Sequence, residues 1–339
     1  MIKKVGREEV AKATGVSEST VSRALSDSPR ISEEVKKRVK AKAEELGYFP
    51  SRPAEQFALG RSNSIGLVVP YYEKILPFSR SYFPALLDGI LIGTMNAGYN
   101  VGIVIDKKLG RYRNFSELIQ SRSFDGLIFA VTPYHYGGLQ TLVSDKLPFV
   151  LVNNYQEGVS SVYAKPYQGM EKAFLHAASL GHESIGYITG DLSYLNGQDR
   201  LESFQTLAKK FRMKTEIVEG DFSHRSGYES FSRFDGKLGQ DITLVMTASD
   251  REAIGLITAC REKGINVPDD LSVIGFDNFF AASNTVPALT TVNHPITSMG
   301  TEAARLLIKM INSPQYSPEQ IWVDTGFVIR NSTGKRRKP

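Results

Sequence analysis

The amino-acid sequence predicts an α/β protein with a small helical head. Three observations carry that expectation. Near the start, two short helical patterns meet at a glycine and a third follows. From Ile65 onward, short continuous apolar runs alternate with helical stretches, as parallel sheets covered on both faces require. The chain of 339 residues exceeds one compact core, and residues 63–334 have room for two such sheets in tandem.

The elements follow in order. Val10, Ala11 and Thr14 keep a helical spacing, and Gly15 supplies the left-handed backbone that ends the first helix. Ser17 is placed to cap a second helix by accepting from an orphan backbone N–H. Val21, Ala24 and Leu25 give that helix an apolar face, and Glu18, Ser19, Ser22 and Arg23 occupy the other. This is a helix-turn-helix, whose second helix fits a DNA major groove. Ser32 caps a third helix with Val35, Val39, Ala43 and Leu46 as its buried stripe. A linker follows, opened by Pro50 and Pro53 and closed by Gly60. Strands are expected at 65–69, 101–105, 126–131, 149–152, 185–189, 216–218, 244–247 and 272–275, with a last one over 322–330 and a helix over 83–97.

Composition narrows the function classes. Hydrophobic content of 41% and charged content of 23% are ordinary for a globular chain. The single cysteine, Cys260, forbids an internal disulfide, suits a reducing cytoplasm and reads as a small buried hydrophobe. No apolar run reaches membrane-span length, and the first residues hold charges but no apolar secretion core, so a cytoplasmic protein without membrane contact is expected. Residues 1–62 hold 13 Lys/Arg against 9 Asp/Glu, and Lys335, Arg336, Arg337 and Lys338 add four more positive charges. The rest of the chain is slightly acidic, with 24 basic against 27 acidic residues. A basic head on an acidic body fits a nucleic-acid module joined to a second function. The basic tail, 335–339, reads as a solvated end. The sequence has no Gly-rich phosphate loop, nucleophile elbow or metal-spaced His/Cys cluster, so neither an enzyme, a cofactor nor a metal is expected.

Several motifs then point one way. They are Gly15-Val-Ser-Glu-Ser-Thr-Val-Ser-Arg-Ala-Leu-Ser, Pro29-Arg-Ile-Ser-Glu-Glu and Ala43-Glu-Glu-Leu-Gly-Tyr-Phe-Pro50 in the head. Farther on come Leu180-Gly-His182, Gly220-Asp-Phe-Ser223, Val273-Ile-Gly-Phe-Asp277, Pro287-Ala-Leu-Thr-Thr-Val292 and Met299-Gly300. Together they resemble the lactose/galactose-repressor (LacI/GalR) family of transcription regulators over nearly the whole chain. The resemblance implies a helix-turn-helix domain at 1–49, a hinge helix at 50–62 and a periplasmic-binding-protein-like effector and dimerisation domain at 63–334. That domain would hold a first lobe at about 63–163 and 293–322, and a second at about 164–292 and 323–334. Three crossovers would join two doubly wound parallel sheets, with a ligand cleft between them.

Residue by residue, the resemblance places Glu18, Ser19 and Arg23 on base edges and Ser17, Thr20 and Ser22 on phosphates, with Arg30 and Arg52 as further phosphate contacts. Phe57 stands where the family has a leucine that wedges between base pairs. Ligands of open α/β sheets sit beyond the carboxyl ends of the strands. There the resemblance puts Asp277 on ligand hydroxyls, Arg200 forking onto the ligand and Phe222 stacking on it. It adds the aromatic pair Tyr82 and Phe83, the polar pair Ser249 and Asp250, Asn153 in place of an aspartate, and His294 at a crossover. Ser249 also reads as a helix cap, and His294 as a structural histidine.

Two departures stand out. Residues 71–81 make a longer connection than the family has, and Lys165 brings a positive charge to the start of the second lobe. Lys165 adds phosphorylated or acidic molecules to the candidate sugar-like effectors. The reading is a repressor that binds a palindromic operator as a homodimer under control of a small molecule. Two rivals are a catabolite-control-type regulator with a protein co-effector and a transport-type sugar-binding protein. The helix-turn-helix argues against the second.

Overall fold

The computed structural model describes residues 5–48, 61–71, 77–107, 114–133, 136–313 and 315–336. The expectations for Arg52 and Phe57 fall outside the described residues. Two compact units form, one built on the N-terminal helices and one on two sheets.

The head holds α1 (Arg7–Thr14), α2 (Glu18–Leu25) and α3 (Glu33–Glu45). Gly15 ends α1 at φ 67°, a left-handed backbone that costs a glycine nothing. The Ser17 hydroxyl accepts from the Thr20 amide at 3.2 Å and caps α2, and Ser32 caps α3 through the Val35 amide. Val10, Ala11, Val21, Ala24, Val39 and Ala43 form its core.

The first sheet has strand order β11-β5-β4-β3-β1-β2 and is parallel throughout. Its strands are β1 (Ser64–Pro70), β2 (Asn100–Asp106), β3 (Gly126–Ala130), β4 (Phe149–Val152), β5 (Ser161–Lys165) and β11 (Gln320–Asp324). Helices α4 (Tyr82–Thr94), α5 (Phe115–Gln120) and α6 (Gln140–Ser144) connect them. Alternate strand residues Ile65, Leu67, Ile128 and Val150 pack with Leu86, Ile90, Met299 and Leu307 on one face. Phe115, Phe129 and Phe149 meet edge to face on the other.

The second sheet has order β12-β10-β9-β8-β6-β7, with β12 antiparallel to β10 and the rest parallel. It holds β6 (Ser184–Ile188), β7 (Lys214–Val218), β8 (Leu244–Thr247), β9 (Ser272–Asp277), β10 (Thr290–Asn293) and β12 (Gly326–Val328). Its helices are α7 (Pro166–Ser179), α8 (Leu195–Lys210), α9 (His224–Arg233), α10 (Asp250–Glu262) and α11 (Phe280–Asn284). Separate apolar clusters cover its two faces, which explains why its strands read as continuous apolar runs.

The chain passes from β5 into α7, returns from β10 into α12 (Ile296–Asn312) and β11, and crosses again to β12. The single strand expected over 322–330 is therefore two strands in two sheets. Thr325 marks the break: its hydroxyl donates to the Lys165 carbonyl at 2.9 Å and accepts from the Gly169 amide at 2.8 Å. One side chain thus ties the first crossover to the third. The tail also differs from a free end, because the Arg336 amide donates to the Leu180 carbonyl and its guanidinium meets Glu183 at 2.6 Å. His182 reaches the Gly334 carbonyl and the Thr243 hydroxyl, which gives the Leu180-Gly-His motif a structural task.

Helix α4 carries the aromatic pair of the expected cleft, and α12 anchors it. The two helices cross so closely that a β-carbon on Gly89 would lie 2.0 Å from the Thr297 carbonyl oxygen. Gly89→Ala is therefore expected to destabilise the protein by about 1–3 kcal/mol, read as a lowered urea midpoint.

Candidate functional site

On the head, α2 presents Glu18, Ser19 and Arg23 to solvent while Val21 and Ala24 are buried beneath. Thr20 and Ser22 are half-buried. Ser17 Oγ lies 2.9 Å from both Ser19 Oγ and Thr20 Oγ1, so the first turn of α2 is a connected row of hydroxyls. Arg7 Nε donates to Glu18 Oε2 at 3.3 Å and partly neutralises the one acidic group on that face.

In the larger unit, Tyr82, Phe83, Asn153, Arg200, Phe222, Ser249 and Asp277 line a single cavity of about 250 Å³. Its walls come from the connections after β1, β3, β4, β6, β7, β8 and β9, all at strand carboxyl ends. Both sheets contribute. Backbone strain collects there: Val131, Asn153, Phe222, Asp277 and Asn278 have φ of 54°, 61°, 65°, 120° and 62°. For side chains other than glycine such angles are uncommon, and for a β-branched valine they are rare.

Arg200 is the electrostatic centre. It is 3% exposed. Its Nη1 donates to the Ala248 carbonyl, and its Nη2 lies 3.2 Å from Asp277 Oδ1 and 3.3 Å from His294 Nδ1. The guanidinium also sits 3.8 Å above the Phe276 ring and 5.5 Å from that of Phe222. Burial lowers the His294 pKa, so the ring is neutral near pH 7 and its Nδ1 accepts from Arg200.

Asp250 and His294 are not on the cavity wall. Asp250 is fully buried, its carboxylate accepting from the Phe279 amide at 2.8 Å and from the Thr291 hydroxyl. Burial and then Asp277 push its pKa up. Its task is to hold the turn that places Phe279 on the wall. Glu252 does the same for Phe222: Oε1 accepts from the Phe222 amide at 2.8 Å, while Oε2 accepts from the Ser249 hydroxyl at 3.1 Å. Ser249 also caps α10. Burial pushes the Glu252 pKa up to about 8.

Sequence reasoning missed Arg80, Asp191, Tyr194, Asn196, Asp221, Arg251 and Phe279 on this wall. Asn196 had a signal, since it lies four residues before Arg200 and shares its helix face. Its Oδ1 is buried and has no hydrogen-bond partner among the described residues, an acceptor open to a ligand donor. Arg80 closes the long 71–81 connection, which thereby reaches the cavity. Lys165 is a correction: its Nζ sits 4.3 Å over the Trp322 ring and is not on the wall. Among the described residues no group of His, Cys, Asp or Glu is arranged to hold a metal, and no helix is long and apolar enough to cross a membrane.

Glu252 gives a pH-dependent expectation. Its folded pKa near 8 lies above its ordinary 4.5, so the folded chain keeps a proton that the unfolded chain releases. Stability is then highest below pH 4.5 for this group and declines as pH rises towards 8. Glu252→Gln removes this contribution, and the variant's unfolding temperature, relative to the parent's, should rise steadily between those limits.

Comparison with known proteins follows the same division. Residues 8–51 match the family described as bacterial regulatory proteins, lacI family, and residues 174–333 match a periplasmic binding protein-like domain. The HTH-type transcriptional regulator MalR of Streptomyces coelicolor is 30% identical, over 98% of each chain. A probable HTH-type transcriptional repressor, ExuR of Bacillus subtilis, is 28% identical over 96% of this chain and 97% of its own. Among solved structures, a complex of the transcriptional regulator CelR with cellobiose superposes with a TM-score of 0.73 at 25% identity, over 97% of this chain and 99% of that one. A lac repressor dimer bound to operator and the anti-inducer ONPF superposes with a TM-score of 0.85 at 23% identity, over 98% and 100% of the chains, a likeness of fold.

Proposed function

The chain belongs to the lacI family of bacterial regulatory proteins and is a DNA-binding transcriptional regulator, and from that premise we propose that it is an effector-controlled repressor. It acts in the cytoplasm, as a dimer on a two-fold symmetric operator. A hydroxylated small molecule occupies the cleft lined by Arg200, Asp277, Asn153 and Asn196. The observation that carries the reading is the buried Arg200–Asp277–His294 network at the edge of a cavity walled by aromatic rings. Ligand hydroxyls need paired charged or amide groups, and the apolar face of a sugar ring needs an aromatic plane. The cellobiose carried by the CelR structure supports a saccharide-like ligand.

The two ends are coupled by differential affinity. A ligand that binds one lobe arrangement better shifts the population towards it, and the DNA-binding heads follow. At the DNA end, Glu18, Ser19 and Arg23 read base edges, while Ser17, Thr20, Ser22 and Arg52 hold phosphates and Phe57 wedges the minor groove. Selection of binding sites from random DNA, followed by titration with and without ligands, tests the whole reading. A two-fold site whose affinity responds to a cleft ligand upholds it, and absence of specific DNA binding overturns it.

Arg23→Ala is expected to weaken binding to the selected site by about 1–3 kcal/mol and to relax preference at one base position. Equal weakening on every sequence, measured by fluorescence anisotropy, would mean that Arg23 only touches phosphate.

A further inference from the structure

The cavity is complete only in one arrangement of the lobes, because Phe83 and Asn153 come from the first and Arg200, Phe222 and Asp277 from the second. A side-chain hydrogen bond beside it joins the lobes directly. Tyr163, in β5 of the first sheet, donates from its hydroxyl to Asp199 Oδ2 at 2.7 Å. Asp199 lies in α8 of the second lobe, one residue before Arg200.

Each end of this bond is fixed within its own lobe. The Tyr163 ring is buried and packs edge to face against Tyr155 and Trp322, with centroids 5.2 and 5.8 Å away. Trp322 is held in turn by Tyr155 at 5.2 Å and by the Lys165 ammonium over its face. Helix α8 is fixed from the other side by Phe204, whose ring stacks on that of Tyr187 at 4.3 Å and lies 5.5 Å from that of Phe174. A hydrogen bond weakens steeply with distance and angle, so one between two rigid ends forms in one arrangement of the lobes and is lost when they turn. Asp199 is half-buried, and burial raises its pKa against the donation from Tyr163. Losing the hydroxyl therefore leaves a partly buried carboxylate short of a donor. Helix α8 also reaches the ligand site: Asn196 and Arg200 line the cavity, whereas Tyr163 and Asp199 do not.

Building on the effector reading above, we infer that Tyr163 and Asp199 are positioning residues of the ligand site. Their hydrogen bond holds α8, and with it Asn196 and Arg200, against the first lobe in the arrangement that completes the cavity. They touch no ligand. Their effect is on population, because apparent affinity falls with the fraction of molecules in the binding-competent arrangement. Ligand and hydrogen bond thus favour the same state, and each strengthens the other.

The distance between the lobes tests this without a ligand. Thr141, on α6 of the first lobe, and Gln205, on α8 of the second, are exposed, whereas Cys260 is buried and stays in place. Spin labels on Thr141→Cys and Gln205→Cys in the full chain, diluted with unlabelled chains, report that distance by double electron–electron resonance. The expected result is one narrow distance in the parent and a second, added distance in Tyr163→Phe and in Asp199→Ala. The double variant should match either single one, since all three remove the same bond. Asp199→Asn, which still accepts, should shift less. Calorimetry with glucose, galactose, ribose, cellobiose and glucuronate then reads affinity. For a probe that binds the parent and is lost in Asp277→Asn, Tyr163→Phe should weaken binding about threefold or more, with the same order among the variants. Unchanged distances in Tyr163→Phe and Asp199→Ala overturn the inference even where the unfolding temperature falls, because that result means packing alone. Shifted distances with unchanged affinity overturn the role at the ligand site and leave the effector reading standing. Binding by no probe, or binding indifferent to Asp277→Asn, overturns the effector reading and the inference with it.

Discussion

A guanidinium withdrawn from water must find acceptors, and the way Arg200 finds them organises the second lobe. Its helix, α8, is tied through it to the carbonyl after β8, to the carboxylate that ends β9 and to the imidazole at the start of the return to the first lobe. Two aromatic faces close the remaining sides. Leaving Asp277 out would strand a buried charge, which costs far more than the net worth of the pair. The same arrangement makes Arg200 a junction. A ligand group that takes over one of its bonds changes what is left for the others, and one of those others, His294, sits on a crossover between the lobes.

The cavity walls are held from behind rather than by one another. Asp250 and Glu252 start α10, and each spends its carboxylate on a backbone amide of a wall turn, Phe279 in one case and Phe222 in the other. Burial raises both pKa values. The compensation is geometric, since the turns they hold include left-handed residues that an unsupported loop would relax. The helix-turn-helix depends on much less. Its caps, Ser17 and Ser32, act within three residues of themselves, and its core is six small or β-branched side chains.

That contrast explains what could be read from the sequence. Local signals carried the head almost completely, because Gly15, Ser17 and the Val21/Ala24 face act over one or two helical turns. They also carried the buried strands, whose apolar runs follow from covering both sheet faces. The strand expected over 322–330 could not be divided from sequence, because its apolar residues continue past Thr325 and the break is made by Lys165 and Gly169, more than 150 residues away. The direction of Lys165 was hidden for the same reason: only the pairing of β5 with β11 brings Trp322 beside it. The cleft residues of the strand ends were legible because topology places all such ends together. Arg80 and Arg251 carried no pattern, being single charges beside loops.

This separation of scaffold from wall has a physical consequence. The side chains that fix the loops, Asp250 and Glu252, are buried acids behind the cavity, whereas Asn196 and Arg251 line the cavity itself. Changing the first kind disturbs backbone geometry in two places at once. Changing the second kind alters the cavity surface. In the regulator proposed above, the population of lobe arrangements is set by the differential affinity that the cavity wall supplies.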